Sequence, residues 1–349
     1  MAKQRPKSRI YTIKFFPYRQ ELGKIYHRQT IGHQMYSRDG RYRFVIGDEP
    51  CEPDFLVVQG KGLREPGTFH VAPENTIMMA TEPATVLVYP QSYIDQFGMI
   101  NTCQEHTLHP HVVYGPAILP WFVGFTERDG KCSYTIDREY MELMPLPQKE
   151  KLISVITSNK AFTQGHLDRI RFVKKLKEHF GDRLDVFGRG YNTFDDKWDV
   201  LAPYRYHIAI ENTSQRFYWT EKISDCYLAG AYPFYYGCTN LGDYFPSDSF
   251  TPIDLHDADA AIATIERQIA ADAFSASSAA LSEARQRVLN VYDLFEYTAR
   301  LCDQLNPDAE KKEVTLKPCR SISNIHNLYN YTVKHNLFKL KMKLSRDKL

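Results

Sequence analysis

The second half of the chain alternates apolar strands with amphipathic helices, and this order constrains the fold more than any other feature. Segments 152–157, 184–187, 206–210 and 231–236 are short apolar runs typical of buried strands. Between the first two, segment 166–180 carries apolar residues at helical spacing, and these are Leu167, Ile170, Val173, Leu176 and Phe180. The alternation predicts a parallel, doubly wound sheet, which binds ligands beyond the carboxyl ends of its strands.

The first half of the chain is α/β in character but less regular. Strands are predicted at 10–16, 43–46, 55–58 and 76–80, and polar turns separate them. Prolines within 116–124 and 145–148 interrupt any regular element, so a junction between lobes is expected there. The predicted organisation is an N-terminal lobe over 1–147, a second Rossmann-like lobe over 148–305 and a tail over 306–349.

The predicted tail carries a large excess of positive over negative charge. Segment 311–349 contains ten Lys and Arg residues against two acids, a net +8, whereas the whole chain has a formal net charge of +2. Leu337, Leu340 and Leu344 recur at helical spacing among the lysines, which predicts a basic amphipathic helix able to lie on an anionic membrane surface. A helix packed on the body and a solvated end are the alternatives. Nucleic acid is not expected as a partner because no recognition motif accompanies the charge.

The cysteine pattern predicts neither disulfides nor a zinc site. The seven cysteines are scattered, and none lies in a CxxC or Cys/His pattern. The sequence contains no run of about 20 apolar residues, so no membrane span is predicted. A cytoplasmic location is expected, with the tail as a means of peripheral attachment to the inner face of the membrane. No metal and no cofactor are predicted.

The segment richest in polar residues at predicted strand and helix ends is 206–237. Its first strand leads into Glu211-Asn212, and Tyr218-Trp219-Thr220-Glu221-Lys222 opens a helix. Thr220 can cap that helix, whose free N–H groups suit a diphosphate, and Lys222 adds a full positive charge. Glu221 and Tyr218 offer polar contacts for hydroxyl groups. The alternative is an ordinary helix start, with a solvated Lys222 and a strand-end turn at Glu211-Asn212.

These residues resemble the donor-binding signature of glycosyltransferase family 10, the α1,3-fucosyltransferases. The shared motifs, in order, are Tyr204-Arg205-Tyr206, Glu211-Asn212-Thr213, Tyr218-Trp219-Thr220-Glu221-Lys222, the run 231–237 and the run 243–246. The resemblance implies a GT-B fold, with two Rossmann-like lobes and a cleft between them. It also implies a soluble, bacterial-type enzyme of glycosylation and polysaccharide biosynthesis that transfers fucose from GDP-fucose with inversion.

The resemblance extends to donor-site residues elsewhere in the second lobe. Ser158-Asn159 and the run 185–188 follow the family's order. Arg169 matches the arginine that neutralises the pyrophosphate, with Arg171 as the competing assignment, and Asn212 matches a donor-site asparagine. The run 188–190 (GRG) lacks the third glycine of a dinucleotide fingerprint, which disfavours hydride transfer. Arg169, Asn212, Tyr218, Glu221 and Lys222 are thus the predicted GDP-sugar ligands.

Inverting transfer also needs a base for the acceptor hydroxyl. In the family this is a glutamate that follows an apolar strand of the N-terminal, acceptor-binding lobe, and Glu82 after 76–80 matches it. The alternatives are Glu74, Glu105 and the histidines His106, His109 and His111. The predicted catalytic residues are Glu82 as base, with Arg169 and Lys222 stabilising the GDP leaving group without a metal. The expected acceptor is an oligosaccharide or a lipid-linked glycan. Another nucleotide-sugar donor and a non-catalytic GDP- or glycan-binding relative are the alternative functions.

Overall fold

The computed structural model describes residues 9–158 and 164–319, which divide into two compact units. The first unit contains residues 9–120 and 290–319, and the second contains residues 121–158 and 164–289. The sequence interpretation places its boundaries at 147/148 and 305/306, and these differ from the observed division. The predicted basic helix with Leu337, Leu340 and Leu344 lies outside the described residues.

The strands of the described residues are β1 Tyr11–Phe16, β2 Tyr42–Ile46, β3 Phe55–Gln59, β4 Gly67–Val71, β5 Thr76–Met79, β6 Met99–Thr102, β7 Val112–Tyr114, β8 Phe125–Arg128, β9 Lys131–Tyr134, β10 Lys151–Ile156, β11 Leu184–Phe187, β12 Tyr204–Gln215, β13 Tyr232–Cys238, β14 Thr251–Pro252 and β15 Lys312–Leu316. The α-helices are α1 Gln91–Ile94, α2 Arg138–Leu143, α3 Gln164–Phe180, α4 Lys197–Leu201, α5 Glu221–Leu228, α6 Ala258–Ala270, α7 Ala273–Ala276, α8 Ser278–Asn290 and α9 Leu294–Cys302.

The first unit is built on a parallel six-stranded sheet in the order β2-β1-β3-β5-β6-β7. Its central strand β3 is buried at every residue, as expected for a parallel strand covered on both faces. The predicted strands 10–16, 43–46, 55–58 and 76–80 correspond to β1, β2, β3 and β5.

Two elements from late in the chain belong to this first unit. Helix α9 inserts Phe295, which makes edge-to-face contacts with Phe15, Tyr26 and Phe44. Strand β15 pairs antiparallel with β4. The observed boundaries therefore differ from the predicted ones because the chain returns to its first unit after the second unit is complete.

The second unit contains a parallel five-stranded sheet in the order β11-β10-β12-β13-β14. Helix α3 connects β10 to β11 and buries Leu167, Phe172 and Leu176. The predicted helix and the four predicted strands of this half are confirmed to within a few residues, and so is the parallel pairing.

The turn after β11 requires a glycine. Gly188 has φ +115°, and a Cβ there would lie 1.8 Å from the carbonyl oxygen of Thr157. This close approach brings the ends of β10 and β11 together at the carboxyl edge of the sheet, where the ligand site of such a fold is expected.

Candidate donor-binding site

A cavity of about 190 Å³ lies in the second unit, at the ends of β10 and β12 and beside α3, α4 and α5. Its lining residues are Ile156, Thr157, Ser158, Arg169, Lys197, Leu201, His207, Ile208, Ala209, Ile210, Glu221, Lys222 and Asp225. Arg169, Glu221 and Lys222, three of the predicted donor ligands, are thus brought together. Asn159, the other half of the predicted Ser158-Asn159 pair, lies outside the described residues.

Glu211 joins the end of β12 to the start of α5. Its carboxylate is buried and accepts hydrogen bonds from Thr220 N at 2.9 Å, from Thr220 Oγ1 at 2.8 Å and from Lys222 Nζ at 2.9 Å. Thr220 is the N-cap of α5, and its side chain also accepts from Lys222 N. The negative group at this helix start is therefore the protein's own carboxylate.

The ammonium group of Lys222 is oriented by two hydrogen bonds. Besides Glu211, it donates to Thr220 Oγ1 at 3.1 Å, while Glu221 lies at 4.0 Å, beyond hydrogen-bond distance. An ammonium has three N–H donors, so one of them is uncommitted within residues 9–158 and 164–319. The Lys222 side chain is 27% exposed and lines the cavity, which makes this third donor accessible to a ligand.

A second lysine, Lys197 at the start of α4, bridges two carboxylates of α5. Its Nζ lies 2.7 Å from Asp225 and 3.4 Å from Glu221. Asp225 also accepts from the backbone N–H of Phe122, which fixes the orientation of the carboxylate. The sequence interpretation did not include Lys197 or Asp225, because their role depends on how α4 packs beside α5.

The pKa values of these carboxyl groups follow from burial and from the lysines. Burial raises the pKa of Glu211 and that of Asp225, although Lys222 and Lys197, respectively, act in the opposite direction. Burial would also raise the pKa of Glu221, but the charges of Lys222 and Lys197 lower it to about 2. Glu221 therefore stays ionised throughout the neutral range.

Arg169, in contrast, has no carboxylate partner among the described residues. Its side chain is 7% exposed, and it donates one long hydrogen bond of 3.4 Å from Nη1 to Asn212 Oδ1. Its Nε is buried without a hydrogen-bond partner in this part of the chain. Burial lowers the pKa of Arg169. A guanidinium group this deeply buried favours an anionic ligand.

The competing assignment, Arg171, lies on the solvent-exposed face of α3. Its side chain is 57% exposed and pairs with Asp168 in the same helix at 3.6 Å. It is not among the residues that line the cavity. Of the two arginines, Arg169 is thus the one that lines the cavity.

The other predicted site residues are more dispersed. Asn212 contacts Arg169 but does not line the cavity, and Tyr218 is 1% exposed and does not line it either. Glu82 lies in the first unit, just beyond the carboxyl end of β5, and is half-buried. Its carbonyl oxygen accepts a hydrogen bond from Gln104 Nε2 at 2.9 Å.

The alternatives to Glu82 occupy other positions in the first unit. Glu74 precedes β5 and therefore lies at the amino edge of the sheet, while His109 and His111 precede β7 at the same edge. Glu105 and His106 follow β6, at the carboxyl edge, and both are exposed. Among the candidate acids, Glu82 and Glu105 are thus the two at the edge where ligands of parallel sheets bind.

The described residues contain neither a metal-binding cluster nor a membrane-spanning helix. Within the described ranges, no group of three or more His, Cys, Asp and Glu residues could hold a metal ion. No helix in that same part of the chain has both the length and the apolar character needed to cross a bilayer.

Residues 146–277 match the family model described as glycosyltransferase family 10 (fucosyltransferase) C-term. Alpha-(1,3)-fucosyltransferase 4 of Bos taurus is 32% identical over 117 residues, which cover 32% of this chain and 28% of that protein. The 4-galactosyl-N-acetylglucosaminide 3-alpha-L-fucosyltransferase 9 of Cricetulus griseus is 22% identical over 129 residues, which cover 36% of this chain and 34% of that protein. The chain thus spans about a third of the length of the curated relatives that it matches.

A solved structure of an α1,3-fucosyltransferase with GDP is similar in fold. It has a TM-score of 0.50 and 17% sequence identity, and the match covers 87% of this chain and 92% of that chain. The predicted GT-B fold is confirmed by this similarity and by the parallel sheets. The segment 146–277 is thus similar to the C-terminal domain of glycosyltransferase family 10, within a chain of GT-B fold.

Proposed function

We propose that this protein is an inverting, metal-independent α1,3-fucosyltransferase that transfers fucose from GDP-fucose to a hydroxyl group of an acceptor glycan. The observation that carries the proposal is the cavity inside the segment that matches the family 10 model, where the buried Arg169, without a carboxylate partner among the described residues, faces the same space as Glu221 and Lys222. The acceptor is proposed to be an oligosaccharide or a lipid-linked glycan. Attachment to a membrane would depend on the tail, whose residues 320–349 lie outside the described residues.

Arg169 would bind the diphosphate of the donor. The two lysines of the cavity are held by three carboxyl groups, so that cluster has one negative charge in excess when all three are ionised. Arg169 is then the cation best able to attract the diphosphate. Since a charged group buried without a partner is costly, ligand binding would also remove an unfavourable feature of the free protein.

Lys222 would stabilise the charge that develops on the leaving GDP. Two of its N–H donors are fixed by Glu211 and Thr220, and the third has no partner in the part of the chain that the structure describes. Donors that are already oriented toward developing charge need no reorganisation during the reaction, and the loss of one such donor costs about 100-fold or more in rate. In this proposal Arg169 and Lys222 perform the task that a divalent cation performs in other transferases. Asn212 would hold Arg169 in place, while Tyr218 and Glu221 would contact ribose or sugar hydroxyls.

Glu82 would accept the proton of the acceptor hydroxyl as the new glycosidic bond forms. Its place just beyond a parallel strand supports this, as does the Gln104 side chain that holds the backbone at Glu82 O and at Leu87 O. Glu82→Gln is expected to abolish transfer and to leave GDP affinity nearly unchanged. Glu74→Gln and Glu105→Gln are the matched controls. Equal losses of transfer and GDP affinity in Glu82→Gln, or loss of transfer in Glu105→Gln alone, would remove Glu82 from this role.

The first test is GDP release from GDP-fucose by the purified protein in EDTA, with and without N-acetyllactosamine-type acceptors. Release that depends on the acceptor and persists in EDTA is expected. A panel of GDP- and UDP-sugars then tests the donor, and GDP binding by calorimetry tests the site. If the protein neither releases nor binds GDP, the proposed function is wrong. Release that disappears in EDTA would contradict the metal-independent mechanism.

A further inference from the structure

The cavity wall contains a buried histidine that sequence reasoning passed over. His207 lies on β12, and alternation along the strand places His207, Ala209 and Glu211 on one face of the sheet. The residue opposite His207 in β10 is Ser154, which is fully buried. His207 is 4% exposed and lines the cavity. In the sequence it is a single polar residue within an apolar strand, which gives no local signal of a ligand contact.

The hydrogen bonds of Ser154 determine where the imidazole carries its proton. The Ser154 hydroxyl donates to the carbonyl oxygen of Val200 at 3.0 Å, and its oxygen lies 2.8 Å from His207 Nδ1. A serine hydroxyl has one proton, and the carbonyl can only accept. The proton between Ser154 and His207 must therefore belong to Nδ1, which donates to Ser154 Oγ.

The second ring nitrogen, Nε2, is consequently an acceptor. Burial and the nearby charge of Lys197 lower the pKa of His207 to about 3, so the ring is neutral at physiological pH. A neutral imidazole protonated on Nδ1 has an unprotonated Nε2. No residue of the described ranges donates a hydrogen bond to it.

Two other groups of the same cavity share this condition. Thr157 Oγ1 and Arg169 Nε are buried and have no hydrogen-bond partner in the described part of the chain. Buried polar groups in proteins are nearly always satisfied, and each one left unpaired is costly. Together with the acceptor Nε2 of His207 in the same cavity wall, these two groups indicate a polar ligand that accepts from Arg169 and donates to His207.

We propose that His207 Nε2 accepts a hydrogen bond from an O–H or N–H group of the nucleotide sugar and that His207 is thereby a specificity-determining residue of the donor site. This rests on the proposed function, because the ligand is the donor named there. The donating group belongs to the guanine, the ribose or the transferred sugar. Ligands that lack this group leave Nε2 unpaired, which should weaken their binding by about 10- to 100-fold.

His207→Asn is the informative variant. Its side-chain amide can still donate to Ser154 Oγ from near the position of Nδ1, but it provides nothing at the position of Nε2. His207→Gln is the matched control, since its longer side chain can place an oxygen acceptor near that position. If His207 had only a structural role, its substitution would weaken the binding of all ligands alike.

The experiment measures dissociation constants by calorimetry for wild type, His207→Asn and His207→Gln. The ligands are GDP, inosine diphosphate (without the 2-amino group), 2′-deoxy- and 3′-deoxy-GDP, and GDP-fucose. We expect one deletion to weaken wild-type binding at least about tenfold and to have no effect in His207→Asn, with partial recovery in His207→Gln. Weakening of GDP-fucose but not of GDP in His207→Asn would instead assign the contact to the sugar.

A second measurement does not depend on the variants. Nitrogen-15 NMR of the wild type should show Nδ1 protonated and Nε2 unprotonated, with Nε2 shifting when GDP-fucose binds. An Nε2–H tautomer, or affinities of His207→Asn within about twofold of wild type for every ligand, would overturn the inference. If wild type binds GDP-fucose but no ligand group shows a His207-dependent effect on affinity, this inference alone fails. If wild type binds no guanine nucleotide, the proposed function fails with it.

Discussion

Replacing Lys222 by methionine leaves the buried carboxylate of Glu211 without its cation. The two charged groups are 2.9 Å apart, and at an effective dielectric constant of about 20 their attraction is about 6 kcal/mol. Lys222 is 27% exposed, so solvent reduces this value, and breaking buried pairs typically costs about 3–5 kcal/mol. We therefore expect Lys222→Met to lower the free energy of unfolding of the second unit by about 3 kcal/mol or more near pH 8.

The cost should depend on pH in a definite direction. The folded protein holds the pKa of Glu211 above its ordinary value, and removal of Lys222 should raise it further. Between the unfolded and folded pKa values the folded state binds more protons, so stability falls as the pH rises. The deficit of Lys222→Met should accordingly be larger at pH 8 than at pH 5.5.

The partner substitution behaves differently because the two groups differ in exposure. In Glu211→Gln the lysine can still reach water, and Glu221 lies 4.0 Å away, so we expect a loss of only about 1 kcal/mol. In the double variant Glu211→Gln/Lys222→Met neither member of this pair carries a charge. The double variant should therefore be more stable than Lys222→Met alone.

Urea unfolding monitored by tryptophan fluorescence provides the assay. The three tryptophans of the chain, Trp121, Trp198 and Trp219, all belong to the second unit, so the signal reports on that unit. A loss below about 1 kcal/mol for Lys222→Met at pH 8 would place the pair with exposed salt bridges and refute the reasoning. A double variant no more stable than Lys222→Met would refute it as well.

Three further substitutions test other parts of the second unit. Calorimetry should show GDP binding weakened at least about tenfold in Arg169→Met but changed less than about twofold in Arg171→Met, on the exposed face. A larger effect in Arg171→Met than in Arg169→Met would make Arg171 the arginine that binds the diphosphate. Gly188→Ala should lower the free energy of unfolding of the second unit by about 2 kcal/mol or more in urea, since a Cβ there would lie 1.8 Å from Thr157 O. The control Gly242→Ala has open space around it and should change the same free energy by less than about 0.5 kcal/mol. Burial lowers the pKa of Lys149 to about 7, so above that pH the unfolded state binds more protons than the folded state. The stability of wild type relative to Lys149→Met should therefore rise between pH 7 and about 10, by up to about 1.4 kcal/mol per pH unit. A flat difference between these two proteins would show that Lys149 is charged throughout.

The sequence predicted the second unit well because its strands are covered on both faces. Such strands appear as continuous apolar runs that end at polar residues or glycine, and the predicted segment 184–187 has the same bounds as β11. The return of β15 and α9 to the first unit was not predictable in this way. Lys312 pairs with Val71, and a contact across so many residues leaves no periodic pattern at either position.

The sequence predicted three residues of the cavity but not the hydrogen bonds that connect them. The family resemblance selects Arg169, Glu221 and Lys222, and the structure places all three around one cavity. The hydrogen bond from Lys222 to Glu211 depends on the conformation of the loop between β12 and α5, which the motif does not reveal. From the motif alone, Lys222 was therefore expected to be a positive charge without a partner in the protein. Lys197, like the ring orientation of His207, could be recognised only from packing.

This connectivity changes the role that Lys222 can have. A free lysine would have to be drawn from solvent and ordered as charge develops on the leaving group, and that ordering would add to the barrier. Here Glu211 and Thr220 already hold two of its three donors, so the ordering is completed when the protein folds. When all three carboxyl groups are ionised, the excess negative charge of the lysine–carboxylate cluster would in turn weaken ground-state attraction for a diphosphate and leave that task to Arg169. In the proposed mechanism, initial binding and stabilisation of the leaving group would thus be assigned to different cations, which is the division expected if interactions that strengthen in the transition state raise the rate.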